Sequence, residues 1–148
     1  MNCEIWNKIL SVSERLRWLP PLIARVTLGY VFVETGWGKI HNLDAIVQFF
    51  GSIGIPYPEL QAPFVSWVEL IGGSLILAGL MTRLAAVPLG ITMVVAILTA
   101  KIKELTGVSA LFGFIEYLYL VMFFWLAVEG PGPVSLDHVL GKKLCRKS

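Results

Sequence analysis

Three glutamates stand inside apolar stretches of this 148-residue chain: Glu34, Glu69 and Glu116. A charged side chain at a bilayer centre costs roughly 2.5 kcal/mol or more, so it normally faces protein or a polar cavity and has a role there. A carboxyl group taken out of water holds its proton more readily, which suits a proton relay. Glu69 and Glu116 are therefore the candidate catalytic residues, with Glu34, Trp37, Lys39 and Arg25 as candidates for binding a small substrate or head group. The structural alternative is that Glu69 pairs with Arg25 or Lys39 and only holds the helices in register. Trp37 and Tyr57 also suit an interfacial aromatic belt, and Arg83 suits a head-group anchor.

Metal and covalent cofactor chemistry is not expected. Cys3 and Cys145 lie in opposite tails without a CxxC pair, and His41 and His138 are far apart, with His138 in the polar tail. A redox cofactor would come from a partner protein or be a diffusible lipid-soluble molecule such as a quinone. The small formal charge of +2 has no clustered basic stripe, so nucleic acid is not an expected partner.

The elements that must position these residues are membrane helices. The apolar fraction is 56% and the mean hydropathy +0.75, more than a soluble domain of this length can hide. Four spans are expected, at about 19–40, 62–80, 84–100 and 111–128, each long enough for the hydrocarbon core. The expected fold is an all-α antiparallel bundle of four transmembrane helices. Residues 1–18 read as an interfacial helix, with Ile5, Ile9, Val12 and Leu16 at helical spacing between charged residues. Their charges and the lack of a small-residue cleavage site argue against a signal peptide. Residues 42–62 form a long connection containing a short amphipathic helix, 44–52, expected to lie over the bundle. Residues 139–148 read as a basic tail.

Within the first span Arg25, Gly29 and Gly36 share one face, where small residues permit close helix contact. Arg25 and Glu34 are half a turn apart in azimuth and about 13 Å apart along the axis, so they cannot pair with each other. The N-terminal segment, the Gly79–Arg83 turn and the tail carry most of the lysines and arginines; the other two connections carry Lys39, Lys101 and Lys103. Both termini are thereby expected on the cytoplasmic side. Glu34, Lys39, Glu69 and Glu116 then fall in one outer layer beneath the 42–62 connection, with Arg25 and Arg83 toward the inner face.

An ordered set of short motifs runs through this pattern. It comprises Arg25…Gly29, Gly36-Trp37-Gly38-Lys39, Gly54-Ile55-Pro56 with Pro58, Glu69-Leu70-Ile71-Gly72-Gly73, Gly79 to Ala86, Glu116, and Gly130 to Asp137. In these residues the chain resembles the DoxX family of small membrane proteins, departing from it at Pro133, where the family often has a basic residue. The resemblance implies a four-helix inner-membrane protein. It also implies kinship with a membrane subunit of thiosulfate:quinone oxidoreductase and with a member of a membrane-associated oxidoreductase complex.

The expected function is thus a membrane subunit of a redox complex, quinone-linked, that carries no cofactor of its own. It would work in the lipid bilayer beside a redox protein partner or as a homo-oligomer. The alternatives are a non-catalytic scaffold or assembly factor and, less favoured, a small-solute transporter, for which four helices without an internal repeat are thin. A pocket lined by Glu69 and aromatics would favour the redox subunit, and a side-chain-filled bundle the scaffold.

Overall fold

Long apolar runs produce helices almost throughout, with many of the glycines and prolines at helix ends and turns. The computed structural model describes residues 3–145, with side chains described from 10 to 143. The side chains of Cys3 and Cys145, and the basic residues Arg146 and Lys147, lie outside the described part. α1 (Cys3–Leu16) is a helix whose residues from Leu10 to Leu16 are exposed, and the Ile5 and Ile9 side chains of the expected interfacial face lie outside the described residues. α2 (Leu19–His41) opens with Pro20 and Pro21, in a first turn whose N–H groups have no helical partner to lose. After Asn42 the chain enters α3 (Leu43–Ser52), the expected amphipathic segment, whose buried residue is Phe50.

α4 (Pro58–Ala78) begins well before the expected Ala62, because Pro58 is placed in its first turn, where proline is tolerated. Tyr57 just before it takes a left-handed conformation, φ 52°. Gly79, with φ 68°, ends the helix, and α5 (Thr82–Thr99) runs back against α4. A 3-10 turn at Ile102–Glu104 follows, fastened by the Lys101–Glu104 ion pair at 3.1 Å.

The expected fourth span is divided. α6 (Val108–Gly113) stops at Phe114, whose φ of −79° and ψ of 131° are extended, and α7 (Ile115–Glu129) starts beyond it. Fifteen residues reach only about 22 Å, less than a hydrocarbon core of about 30 Å. The expected tail is also different: α8 (Leu136–Cys145) is helical, because Ser135 Oγ accepts the His138 N–H at 3.2 Å as an N-terminal cap.

α2 packs on α4, α4 on α5 and α5 on α7. The Phe32 ring closes the bundle by meeting Tyr119 and Phe123 of α7 edge-on, at centroid distances of 5.5 and 4.9 Å. Leu28, Phe32, Ile76, Leu89, Met93, Phe123 and Leu126 form the core around that contact.

Glycine decides how closely α2 and α4 meet. A Cβ on Gly36 would fall 2.5 Å from the Leu70 nitrogen, and one on Gly73 2.8 Å from the Val33 nitrogen, so backbone rides directly on backbone. The neighbouring Gly72 faces the other way, against the Leu89 side chain of α5. The Gly72-Gly73 pair thus serves two interfaces at once.

α4 and α5 have the length and apolarity of membrane spans, yet only 33% of each is buried. The core helix of a soluble protein would be mostly covered. Here Phe64, Trp67, Ile71, Leu84, Val87 and Ile91 all point outward. An apolar exterior of this kind needs an apolar solvent.

Candidate functional site

The glycine contact on α2 determines where the nearest charges meet. Lys39 lies three residues beyond Gly36 on the same helix face, and Glu69 immediately precedes the Leu70 against which Gly36 rests. Lys39 Nζ therefore reaches Glu69 Oε1 at 2.5 Å. The Glu69 side chain is 3% exposed and that of Lys39 29%. Glu69 Oε2 is buried and has no hydrogen-bond partner among the described residues. The site is thus a fixed carboxylate with one oxygen held by an ammonium group and the other free to accept. The ammonium group itself is reachable from the edge of the bundle.

The other sequence candidates do not all join this pair. Glu34 is exposed, and Glu116 is half-buried in the first turn of α7; neither makes an ion pair among the described residues. Trp37 is exposed and its ring lies against that of His41, tilted by 40° with centroids 4.4 Å apart, while His41 Nδ1 donates to the Trp37 carbonyl at 2.9 Å. A polar recess of about 420 Å³ opens at this corner, from Ile40 to Ala45, beginning at the residue after Lys39. Among the described residues no cluster of three or more His, Cys, Asp or Glu could hold a metal ion.

Arg25 is at the other end of the bundle, fourteen residues and about 21 Å along α2 from Lys39. It is therefore not part of the Lys39–Glu69 layer. It is 3% exposed, and its Nε and Nη1 have no hydrogen-bond partner among the described residues. A Cβ on Gly79 would collide with its guanidinium, so the helix end at Gly79 is open to make room for Arg25.

A second arrangement at this end was not legible from spacing. Asp137 accepts the Met81 N–H at 2.7 Å through Oδ1 and the Thr82 N–H at 3.1 Å through Oδ2, capping α5 from 55 residues away. Its own N–H donates to the Gly79 carbonyl at 2.9 Å. Arg83 Nη2 donates to the Glu129 carbonyl at 3.1 Å. The α4–α5 turn is thereby clasped to the end of α7 and the start of α8. Ser135-Leu136-Asp137 signals a helix cap in the sequence, but not that Asp137 caps a second helix as well.

A third feature is an apolar groove of about 380 Å³ between α4 and α5. Phe64, Trp67, Ile71, Gly72, Leu84 and Pro88 are among its walls, and Glu69 is not.

An all-helical protein with an apolar exterior and a buried ion pair between two helices is an integral membrane protein with an internal polar site. Residues 21–102 match the DoxX family, and the chain belongs to it. It is 37% identical over 124 residues to the Bacillus subtilis protein named "Putative oxidoreductase CatD", covering 82% of this chain and 89% of that one. It is 33% identical over 123 residues to inner membrane protein YqjF of Escherichia coli, covering 82% and 92%. Inner membrane protein YphA of the same organism is 32% identical over 122 residues, covering 79% and 87%. No solved structure matches the chain.

Proposed function

We propose that the protein is an inner-membrane subunit of a quinone-linked redox complex that crosses the bilayer four times, the fourth crossing made by α6 and α7 together, with Lys39–Glu69 as its proton-handling site and both termini in the cytoplasm. The observation that carries this reading is the free, buried Oε2 of Glu69 beside a half-exposed Lys39. A quinone becomes a quinol by gaining two electrons and two protons. The electrons would come from a cofactor-bearing partner protein, and the protons would pass through the Glu69 carboxyl. Lys39 would donate a hydrogen bond to a ring carbonyl and hold Glu69 in place. Glu116, half-buried in the first turn of α7, is the candidate for a second proton-carrying carboxylate, and Trp37 and Glu34 are exposed on α2. The name carried by CatD and the inner-membrane names of YqjF and YphA agree with this assignment.

One observation favours a different reading, a non-catalytic scaffold. The apolar groove between α4 and α5 leaves Glu69 out, so the ion pair can be read as a device for helix register alone. Extraction in mild detergent separates the two. Co-purifying quinone, or a flavin- or haem-bearing partner, supports the redox subunit. A chain carrying only bulk lipid supports the scaffold.

A further inference from the structure

The end of the bundle that holds Arg25 is also where two peripheral helices leave it. α1 ends at Leu16, just ahead of α2, and α8 starts at Leu136 beside the α4–α5 turn. The convergence is tight: a Cβ on Gly132 would lie 2.7 Å from Pro21 Cγ, and Asp137 is bonded to Gly79, Met81 and Thr82. α8 thus begins level with the inner limit of the two apolar helices α4 and α5.

α8 carries an apolar stripe that the bundle does not cover. Leu136, Val139 and Leu140 recur at helical spacing, and each is exposed by nearly half: 47%, 48% and 46%. Val134 just before them is 48% exposed. The stripe begins beside Asp137, which accepts the Met81 N–H, and Met81 and Leu84 are themselves exposed on the apolar α4–α5 surface. Basic residues lie on the segments that meet this end: Arg15 in the last turn of α1, Arg17 just after it, Arg83 at the start of α5, and Lys142 and Lys143 in the last turn of α8. An exposed apolar stripe at bilayer level with lysines in its last turn suits the boundary between acyl chains and acidic head groups.

We propose that α8 is a second interfacial helix, lying in the plane of the membrane and binding acidic phospholipid. Val134, Leu136, Val139 and Leu140 enter the upper acyl region, and Lys142 and Lys143 extend to head-group phosphates. Together with α1 it forms a basic, amphipathic collar around the inner end of the bundle. The clasp through Asp137 fixes the point from which the helix lies down, so the stripe faces lipid in a set orientation.

The test uses the full chain with Cys3 and Cys145 changed to serine and an environment-sensitive fluorophore placed through Val139→Cys. The protein is reconstituted in vesicles of phosphatidylcholine alone and of phosphatidylcholine with phosphatidylglycerol. The expected result is blue-shifted emission, with several-fold less quenching by a water-soluble quencher than for a label placed through Gly141→Cys. The protection should deepen with phosphatidylglycerol, and Lys142→Glu with Lys143→Glu should abolish that deepening. A Val139 label as accessible to the quencher as the Gly141 label in both vesicles would overturn the proposal. A membrane-like signal indifferent to phosphatidylglycerol would overturn its acidic-lipid part.

Discussion

Lys39 Nζ lies 2.5 Å from Glu69 Oε1, and the contact exists because Gly36 of the same helix rests on the backbone of Leu70. Register and chemistry are thus coupled: the glycine that lets α2 and α4 touch also delivers the ammonium group to the carboxylate. The result is a pair with one satisfied and one unsatisfied carboxylate oxygen.

Removing one partner of a buried pair strands the other charge, at a cost of roughly 3–5 kcal/mol. Lys39→Met should therefore lower the thermal stability of the detergent-solubilised protein sharply. The double variant Lys39→Met with Glu69→Leu should recover most of that loss, because no unpaired charge remains. Melting curves of the two variants check this, and equal loss in both would show that the pair is not the stabilising unit.

Glycine substitution on α2 should divide cleanly by position. Gly36→Ala forces a Cβ into the Leu70 backbone and should cost about 1–3 kcal/mol, as overpacking does. Gly38→Ala meets nothing within 4 Å and should be tolerated. Expression yield and melting temperature of the two, side by side, decide the point.

The clasp at the Arg25 end of the bundle rests on one carboxylate. Asp137→Ala removes both acceptors at the start of α5 and should destabilise the protein by roughly 1–2 kcal/mol, as loss of a helix cap does. Hydrogen exchange should quicken at the Met81 and Thr82 amides and stay unchanged at the Lys39–Glu69 end. Uniform quickening along the chain would contradict a local clasp.

Arg25 and Glu69 should act independently. Arg25→Met keeps an apolar stem of similar length and removes a charge whose Nε and Nη1 have no partner among the described residues. It should leave any quinone binding at the Lys39–Glu69 end unaltered, because about 21 Å of helix separates the two. Binding isotherms for this variant and for the unaltered protein should superimpose.

Local patterns carried much of this structure. The face shared by Gly29 and Gly36, the amphipathic α3 and the turn at Gly79 follow from period and backbone freedom, and the pairing of Glu69 with Lys39 was one of two partners expected. The break at Phe114 was less visible, because Phe114 is an ordinary apolar residue inside an apolar run and only Gly113 beside it hints at an interruption. The dispersal of the three carboxylates was not readable either. Which side of a helix faces protein depends on packing angles, and these leave Glu34 outside and Glu116 half-covered. Asp137 capping α5 is a contact across 55 residues that no local spacing announces.

The Lys39–Glu69 site is proposed to hold a quinone head group, with Lys39 donating to a ring carbonyl and the free Glu69 Oε2 accepting from the hydroxyl of the reduced quinol. The most direct measurement is titration of the purified protein with a short-tailed benzoquinol kept reduced, unaltered and as Glu69→Gln, following tryptophan fluorescence with folding checked by circular dichroism. Saturable binding that weakens roughly tenfold in the variant, equivalent to about 1.4 kcal/mol, is the predicted result. No saturable binding to the unaltered protein, or equal affinity in a folded variant, would contradict the claim and leave the pair with a structural role only.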